Sequence, residues 1–329
     1  MDSISVNKLV IFSISILFVL PCFFPLASSS TLEKQDNVSR DVIIVDDEGD
    51  GDYTSIKEAV NNTNPGDTIE VYSGTYYEYG IEIYTENITL RGIPYELGNG
   101  GDTGKPFING EGKDTVIRYM MTEGVLVTGF RMENGNGIVT IYKSKNCIFS
   151  NNDINNAIGV LIFSQGSTNI QILHNNISHS LIRQGINFLD CSYFTISDNI
   201  ITDVTTGICV WDSDNNTITG NKIMRCRDFG IDVAGSNNKI IGNHLENNSI
   251  GVQIYDFFNS VKRNNFINNE VHAQFIYGIP LLQRFTNIWF RNYWGRPRLL
   301  PYIIPGLLIL MPIIQFDWLP AKEPYDIGV

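Results

Sequence analysis

The chain is short of basic residues. Its 329 residues include 23 lysines and arginines against 35 aspartates and glutamates, which gives a net charge of −12. A nucleic-acid partner would require a basic face that neutralises phosphates, and this composition argues against one. Cysteine is also scarce, and no Cys-x-x-Cys pair occurs. Four cysteines lie in the body of the chain and are expected as small buried side chains rather than as a disulfide framework: Cys147, Cys191, Cys209 and Cys226.

Long apolar runs are confined to the two ends. Near the N-terminus, Lys8 precedes the apolar run Leu9–Leu20, and small residues follow from Ala27 to Ser30. This order predicts a signal peptide over residues 1–29 and an exported, extracellular or cell-surface protein. The alternative is an uncleaved membrane anchor, because Leu9–Leu26 approaches the ~20 residues that span a bilayer. Six Asn-x-Ser/Thr sequons predict a glycoprotein: Asn37, Asn61, Asn87, Asn176, Asn215 and Asn247.

The second apolar run, Leu299–Ile314, is interrupted by three prolines, which argues against a membrane-spanning helix. We expect this tail to fold back over the last coil, with Trp289, Trp294 and Trp318 as packing anchors. The alternative is a C-terminal membrane tether.

A repeat of about 22–24 residues organises the chain from Gly137 onwards. One asparagine recurs with spacings of 23, 24, 22, 22 and 21, at Asn152, Asn175, Asn199, Asn221, Asn243 and Asn264. Apolar residues stand three places before it and two places after it. Because no segment of 10–12 residues shows the 3.6-residue period of a helix, each repeat is read as three short strands separated by tight corners.

Stacked repeats predict an all-β fold, a single-stranded right-handed parallel β-helix with three parallel sheets. The asparagines are expected to form an internal ladder, each in the left-handed backbone conformation at a corner. A glycine and an inward-pointing pair are expected to open each later coil. These pairs are Val160/Ile162, Ile186/Phe188, Ile208/Val210, Ile231/Val233 and Val252/Ile254.

The earlier part of the chain is less regular. Thr54–Val60 is predicted as an amphipathic helix with a Ser55/Glu58 capping box, and it should cover the first coil. The Asp46–Asp47 pair before it is interpreted as solvated loop. Five segments follow: signal peptide 1–29, N-terminal extension 30–52, cap helix with irregular early coils 53–136, regular repeats 137–278 and C-terminal cap 279–329.

Three segments carry a resemblance to a known family. The cap helix, followed by Asn64–Ile69 and Val71–Tyr76, resembles the opening of pectin-lyase-like β-helix proteins, and the repeats resemble their carbohydrate-binding and sugar-hydrolase repeat set. The tail Asn287–Trp294 resembles the ending of NosD-type proteins. NosD itself assists maturation of a copper enzyme, so the resemblance implies copper handling as one alternative function. The four histidines, His174, His179, His244 and His272, occupy different columns of the repeat, so no metal site and no cofactor are predicted.

The candidate site is an outward face that follows the inward pairs. Alternation places Trp211, Tyr255 and Asp232 on this face, as binding residues for a polysaccharide or cell-envelope glycan. It also places Phe163 and Tyr277 in the column of Trp211 and Tyr255. A neighbouring column holds Asp190, Asp212 and Asp256, which are the candidate catalytic carboxylates.

The predicted function is glycan-related recognition or an envelope-structural role, without catalysis. The enzymatic alternative is a polysaccharide hydrolase or lyase that uses the aspartate column. Neither the Gly-His-Gly element of polygalacturonase-like hydrolases nor the Arg-x-Pro-x-x-Arg segment of pectate lyases occurs in the chain.

Overall fold

The computed structural model describes residues 40–180, 183–277, 286–308 and 311–328. The predicted signal peptide and the sequon Asn37 lie outside these residues. The five other sequon asparagines are all exposed. The single helix of the described part has six residues, and none there is long and apolar enough to cross a membrane.

Short strands account for nearly all the regular structure. In chain order they are β1 Val42–Val45, β2 Thr68–Val71, β3 Thr75–Tyr76, β4 Ile81–Ile83, β5 Thr89–Gly92, β6 Phe107–Asn109, β7 Ile117–Met120, β8 Leu126–Thr128, β9 Arg131–Glu133, β10 Val139–Tyr142, β11 Ile148–Ser150, β12 Asp153–Asn155, β13 Ile162–Gln165, β14 Gln171–Leu173, β15 Asn176–Ser180, β16 Ile186–Leu189, β17 Thr195–Ser197, β18 Ile200–Val204, β19 Thr206–Trp211, β20 Thr217–Thr219, β21 Lys222–Met224, β22 Phe229–Ala234, β23 Lys239–Ile241, β24 His244–Glu246, β25 Ile250–Ile254, β26 Ser260–Lys262, β27 Asn265–Ile267, β28 Val271–Tyr277, β29 Ile288–Phe290, β30 Tyr293–Trp294, β31 Tyr302–Leu308 and β32 Met311–Asp317.

These strands form three sheets, each of which takes every third strand. Sheet A runs β1-β2-β5-β8-β11-β14-β17-β20-β23-β26-β29, and sheet B runs β3-β6-β9-β12-β15-β18-β21-β24-β27-β30. Sheet C runs β4-β7-β10-β13-β16-β19-β22-β25-β28-β31-β32. All pairs are parallel except β31 with β32. The predicted three-sheet parallel β-helix is confirmed.

The core consists of columns of apolar side chains in register from coil to coil. On sheet A the column includes Phe149, Ile172, Ile196, Ile218, Ile240 and Val261, and each of these residues is 0% exposed. On sheet B it includes Ile154, Ile177, Ile201, Ile223, Leu245 and Phe266. These are the apolar positions that flank the repeated asparagine. A strand of three residues buries only one or two side chains, so the stacking of coils supplies the stability that a single coil lacks.

The asparagine ladder is confirmed, and it is longer than predicted. Each ladder asparagine accepts hydrogen bonds at Oδ1 from the backbone N–H and the side-chain amide of the preceding one, as Asn221 does from Asn199 at 3.0 and 2.9 Å. The column continues through Asn292 and ends on the buried carboxylate of Asp317. The prediction that the ladder asparagines adopt the left-handed conformation is wrong. The residue before each one does so, as His174 (φ 54°) and Asp198 (φ 57°) show.

The predicted register of the first regular coil is wrong by two residues. Ile162 pairs with Ile186 and Ser164 with Phe188, so the inward pair of this coil is Ile162/Ser164 rather than Val160/Ile162. Ser164 is 0% exposed, and its hydroxyl donates to the Ile141 carbonyl. A shift of two residues leaves the alternation of inward and outward side chains unchanged, so a period-2 pattern cannot detect it.

The N-terminal end is covered by the helix α1, Ile56–Asn61. The Ser55 hydroxyl accepts from the Glu58 N–H at 3.2 Å, and Ile56, Ala59 and Val60 are buried as predicted. The Glu78 carboxylate also accepts the first two N–H groups of the helix, each at 2.8 Å. The interpretation of Asp46–Asp47 as solvated loop is wrong for Asp46, which is fully buried.

The C-terminal tail folds back as an antiparallel hairpin of β31 and β32 on the edge of β28. Trp289 and Trp294 are buried, and Trp294 stacks on Tyr302 with ring centroids 4.0 Å apart. Trp318 is 69% exposed, so its predicted role as a packing anchor is wrong.

The four cysteines of the body are free and buried, as predicted.

Candidate functional site

Three neighbouring strands of sheet C, β19, β22 and β25, bring the predicted binding residues together. Asp232 pairs with Cys209 on one side and with Gln253 on the other, and Trp211 pairs with Ala234. Trp211 therefore lies diagonally across from Asp232. The indole Nε1–H of Trp211 donates to Asp232 Oδ2 at 3.1 Å. The indole ring is thus held in place while the side chain stays 50% exposed.

Tyr255 follows β25 directly and is half-buried. In the register of β22 and β25 it lies opposite Ala234, so a small side chain separates Trp211 from Tyr255 in one outward column. Trp211 and Tyr255 are two coils apart, which corresponds to roughly 10 Å between their backbone positions at the usual strand spacing. Burial raises the pKa of the Tyr255 hydroxyl, and the nearby Asp232 charge raises it further. Two aromatic residues thus flank a slot beside a carboxylate. We define Trp211, Ala234, Tyr255 and Asp232 as the aromatic slot.

Asp232 points away from the core and yet is only 4% exposed. Burial raises its pKa to about 6, although the hydrogen bond from Trp211 acts in the opposite direction. Its Oδ1 atom is buried and has no hydrogen-bond partner. The adjacent outward side chains, Cys209 and Gln253, are buried as well. Alternation alone predicts exposure for such outward positions, so this buried polar column could not be predicted from the sequence pattern.

The raised pKa of Asp232 predicts a pH-dependent stability difference. An unfolded aspartate titrates near pH 3.9, so between about pH 4 and 6 the folded state binds this proton more tightly than the unfolded chain does. The Asp232 contribution to the free energy of unfolding therefore decreases as the pH rises through this window. Asp232→Asn should increase the free energy of unfolding by about 2–3 kcal/mol above pH 6, and this gain should vanish near pH 4.

Urea denaturation of wild type and Asp232→Asn at a series of pH values measures this difference. Asp228→Asn, which changes an exposed aspartate just before β22, is the matched control and should leave the pH profile unchanged. If the free energies of unfolding of wild type and Asp232→Asn differ by a constant amount from pH 4 to pH 8, the raised pKa of Asp232 is contradicted.

The predicted catalytic aspartates lie at corners that follow strands of sheet C: Asp190 directly follows β16, Asp212 directly follows β19, and Asp256 lies two residues after β25. Asp190 and Asp212 are exposed and adopt the left-handed conformation, at φ 54° and 46°. The Asp190 N–H donates to the Trp211 carbonyl at 3.2 Å, so the two corners stack. Asp256 is half-buried. Burial raises its pKa, and the charges of Asp214 and Asp212 raise it further.

The structure thus brings Asp212 and Asp256 into one electrostatic cluster and adds Asp214, which the sequence analysis did not select. Asp214 anchors the corner by accepting from the Ser236 N–H at 2.6 Å.

Two expected members of the aromatic column lie elsewhere. Phe163 pairs with Asn187 and so belongs to the column of Asp232. Tyr277 is buried, and its hydroxyl accepts from Asn287 and Gln315.

None of the four histidines belongs to a set of three potential metal ligands among the described residues. In the part of the chain that the structure describes, two sets of three potential metal ligands occur, and both consist of carboxylates alone. His272 packs beside Trp294 and Phe266, and burial lowers its pKa.

Comparison with known proteins agrees with this architecture. Residues 136–293 match the family model described as a right handed beta helix region. Together with the three parallel sheets, this match defines the fold as a right-handed parallel β-helix. No curated protein sequence matches the chain.

Solved structures with the same fold include XylC in complex with xylose, with a TM-score of 0.53 and 12% identity over 84% of this chain and 73% of that chain. A rhamnogalacturonan lyase gives a TM-score of 0.50 with 9% identity, over 75% of this chain and 86% of that chain. ORF18 of Geobacillus virus E2 gives a TM-score of 0.45 with 13% identity over 77% of this chain, which spans only 58% of that chain. At these identities the likeness concerns the fold.

Proposed function

We propose that this protein is an extracellular glycan-recognition protein and that the aromatic slot binds a saccharide chain. The observation that carries the proposal is the half-exposed Trp211 indole, fixed by the buried Asp232 carboxylate, with Tyr255 beyond a small Ala234. The flat apolar face of a fixed aromatic ring can pack against a sugar ring, and nearby carboxylates can accept hydrogen bonds from the sugar hydroxyl groups. The apolar N-terminal segment and the exposed sequons support the extracellular setting.

The pectin-lyase-like fold supports a glycan as the partner, because proteins of this fold include those described as a rhamnogalacturonan lyase and as XylC in complex with xylose. A NosD-type copper-handling role has no comparable support, because both sets of potential metal ligands among residues 40–180, 183–277, 286–308 and 311–328 consist of carboxylates, whereas copper prefers histidine, cysteine or methionine.

Binding to a glycan array tests the proposal. Trp211→Ala should weaken binding roughly tenfold or more, because it removes the stacking surface. Trp318→Ala is the matched control, since Trp318 is the other exposed tryptophan and lies in the C-terminal hairpin region. Equal binding by wild type and Trp211→Ala, with both folded by circular dichroism, would rule out the slot as the glycan site.

Glycan cleavage is a second candidate function, favoured by the raised pKa of Asp232 on the strands of sheet C that lead to the corner of Asp212, Asp214 and Asp256. A carboxyl whose pKa lies near 6 can donate a proton near neutral pH, and Asp212, Asp214 or Asp256 would supply the base. Incubation with the glycans found on the array, followed by assays for new reducing ends and unsaturated products, tests it. Release that disappears in Asp232→Asn would support catalysis, whereas the absence of any product leaves recognition as the function.

A further inference from the structure

A second cluster of charge lies in the first coils, where the loop after β1 meets the excursion between β5 and β6. Five carboxylates converge there, in two sets of three: Asp46 with Glu48 and Glu96, and Asp47 with Glu48 and Asp102. Within each set, one oxygen from every residue lies within 4.8 Å of the others. Glu48 belongs to both sets and therefore links them.

The inner carboxylates are anchored by the backbone. Asp46 Oδ2 accepts from the N–H groups of Gly49 and Asp50 at 3.1 and 3.0 Å. Asp47 Oδ2 accepts from the Thr75 N–H at 2.8 Å. Asp46 is 0% exposed, and its second oxygen, Oδ1, is buried without any hydrogen-bond partner. The second oxygen of Asp47 is buried and unpartnered in the same way.

Side-chain cations do not compensate this charge. Among the described residues, no ion pair with lysine, arginine or histidine involves any of the five carboxylates. Buried negative charge without a partner costs several kcal/mol per group in a folded protein. Fixed carboxylate oxygens that face one another, two of them buried and unpaired, are therefore suited to a bound cation.

We propose that this cluster binds a calcium ion, with Asp46, Glu48 and Glu96 as its central ligands and Asp47 and Asp102 beside them. All the ligand atoms are oxygens, which suits a hard cation better than zinc or copper, for which nitrogen and sulfur ligands are preferred. Calcium accepts six to eight oxygens in irregular geometry, whereas magnesium requires a near-ideal octahedron and retains several waters. The ion would tie the loop after β1 to the excursion between β5 and β6 and so stabilise the N-terminal coils.

Calcium titration of the full chain, after treatment with a chelator, tests the proposal by calorimetry and by thermal unfolding. One ion should bind per chain, and saturating calcium should raise the melting temperature by roughly 5 °C or more. Magnesium at the same concentration should give a smaller shift. An equal shift with magnesium would overturn the assignment to calcium.

The variant Asp46→Asn/Glu96→Gln should lose at least tenfold in calcium affinity and most of the thermal shift. Asp326→Asn/Glu323→Gln, a matched pair of exposed acids in the C-terminal segment, should retain both. Glu48→Gln provides a second test if the first variant does not fold, because Glu48 is exposed and belongs to both sets. Absence of calcium binding by the folded wild type, or undiminished binding by Glu48→Gln, would overturn the proposal.

Discussion

Asn221→Asp is expected to lower the free energy of unfolding by about 3–5 kcal/mol, because the substitution replaces a buried donor by an acceptor. Asn221 Nδ2 donates to Asn243 Oδ1 at 3.0 Å and to the carbonyls of Ile196 and Thr219 at 2.9 and 3.1 Å. A carboxylate oxygen at this position would face three acceptor oxygens. The hydrogen bonds from the preceding ladder residue would be kept, because the remaining oxygen at position 221 can still accept from Asn199.

Differential scanning fluorimetry measures the expected loss, which corresponds to roughly 10 °C in melting temperature. The deficit should be smaller at pH 4 than at pH 8, because a protonated carboxyl group can donate one hydrogen bond. Asn268→Asp makes the same chemical change at an exposed corner and should leave the melting temperature within about 1 °C of wild type. A wild-type melting temperature for Asn221→Asp would contradict the role assigned to the ladder.

Asp317→Ala is expected to lower the free energy of unfolding by a similar amount, about 3–5 kcal/mol, because Asp317 terminates the ladder. Its Oδ2 accepts from the backbone and the side-chain amide of Asn292 and from the Trp294 indole, and its Oδ1 accepts from the N–H groups of Arg291 and Leu319. The side chain is 0% exposed, so the alanine variant would leave these donors without an acceptor.

The same geometry explains why the ladder ends on an aspartate. The terminal member has only to accept hydrogen bonds, whereas every inner member must also donate them to the next coil. Asp317→Asn keeps one accepting oxygen and should therefore cost less stability than Asp317→Ala. Chemical denaturation of both variants measures the order, with Glu323→Ala as the exposed control in the same segment. Equal stability of wild type and Asp317→Ala would refute this explanation of the C-terminal end.

The fold was predictable because each coil repeats one asparagine and two apolar positions at nearly constant spacing. Three details were not predictable in this way. The left-handed corner falls on the residue before the asparagine, which varies among His174, Asp198 and Gly220 and so shows no single signature. The register error at Ile162 arose because a shift of two preserves alternation. Two further ladders, Asn216/Asn238/Asn259/Asn287 and Asn248/Asn269, were missed among the many asparagines.

The candidate site was predictable in part, for a related reason. Alternation placed Trp211, Asp232 and Tyr255 on one face, and the structure joins Trp211 to Asp232 by a hydrogen bond. Alternation cannot show that an outward residue is buried, and therefore it could not predict the raised pKa of Asp232. The acidic cluster around Asp46 depends on a contact between the loop after β1 and the excursion near Glu96, about 50 residues later, and no local pattern reports such a contact.

The most direct test of the central proposal is the accessibility of Trp211 to a collisional quencher, measured in a Trp318→Phe variant with and without a glycan that binds on the array. Trp289 and Trp294 are buried, so Trp211 is the only exposed tryptophan left in this variant. If the saccharide stacks on the Trp211 indole, saturating glycan should shield the indole from the quencher and so reduce the fraction of the fluorescence that can be quenched. The binding of the glycan is verified independently, and the protein is saturated with it. Unchanged quenching of Trp211 under these conditions would place the glycan elsewhere and contradict the proposal that the aromatic slot is the recognition site.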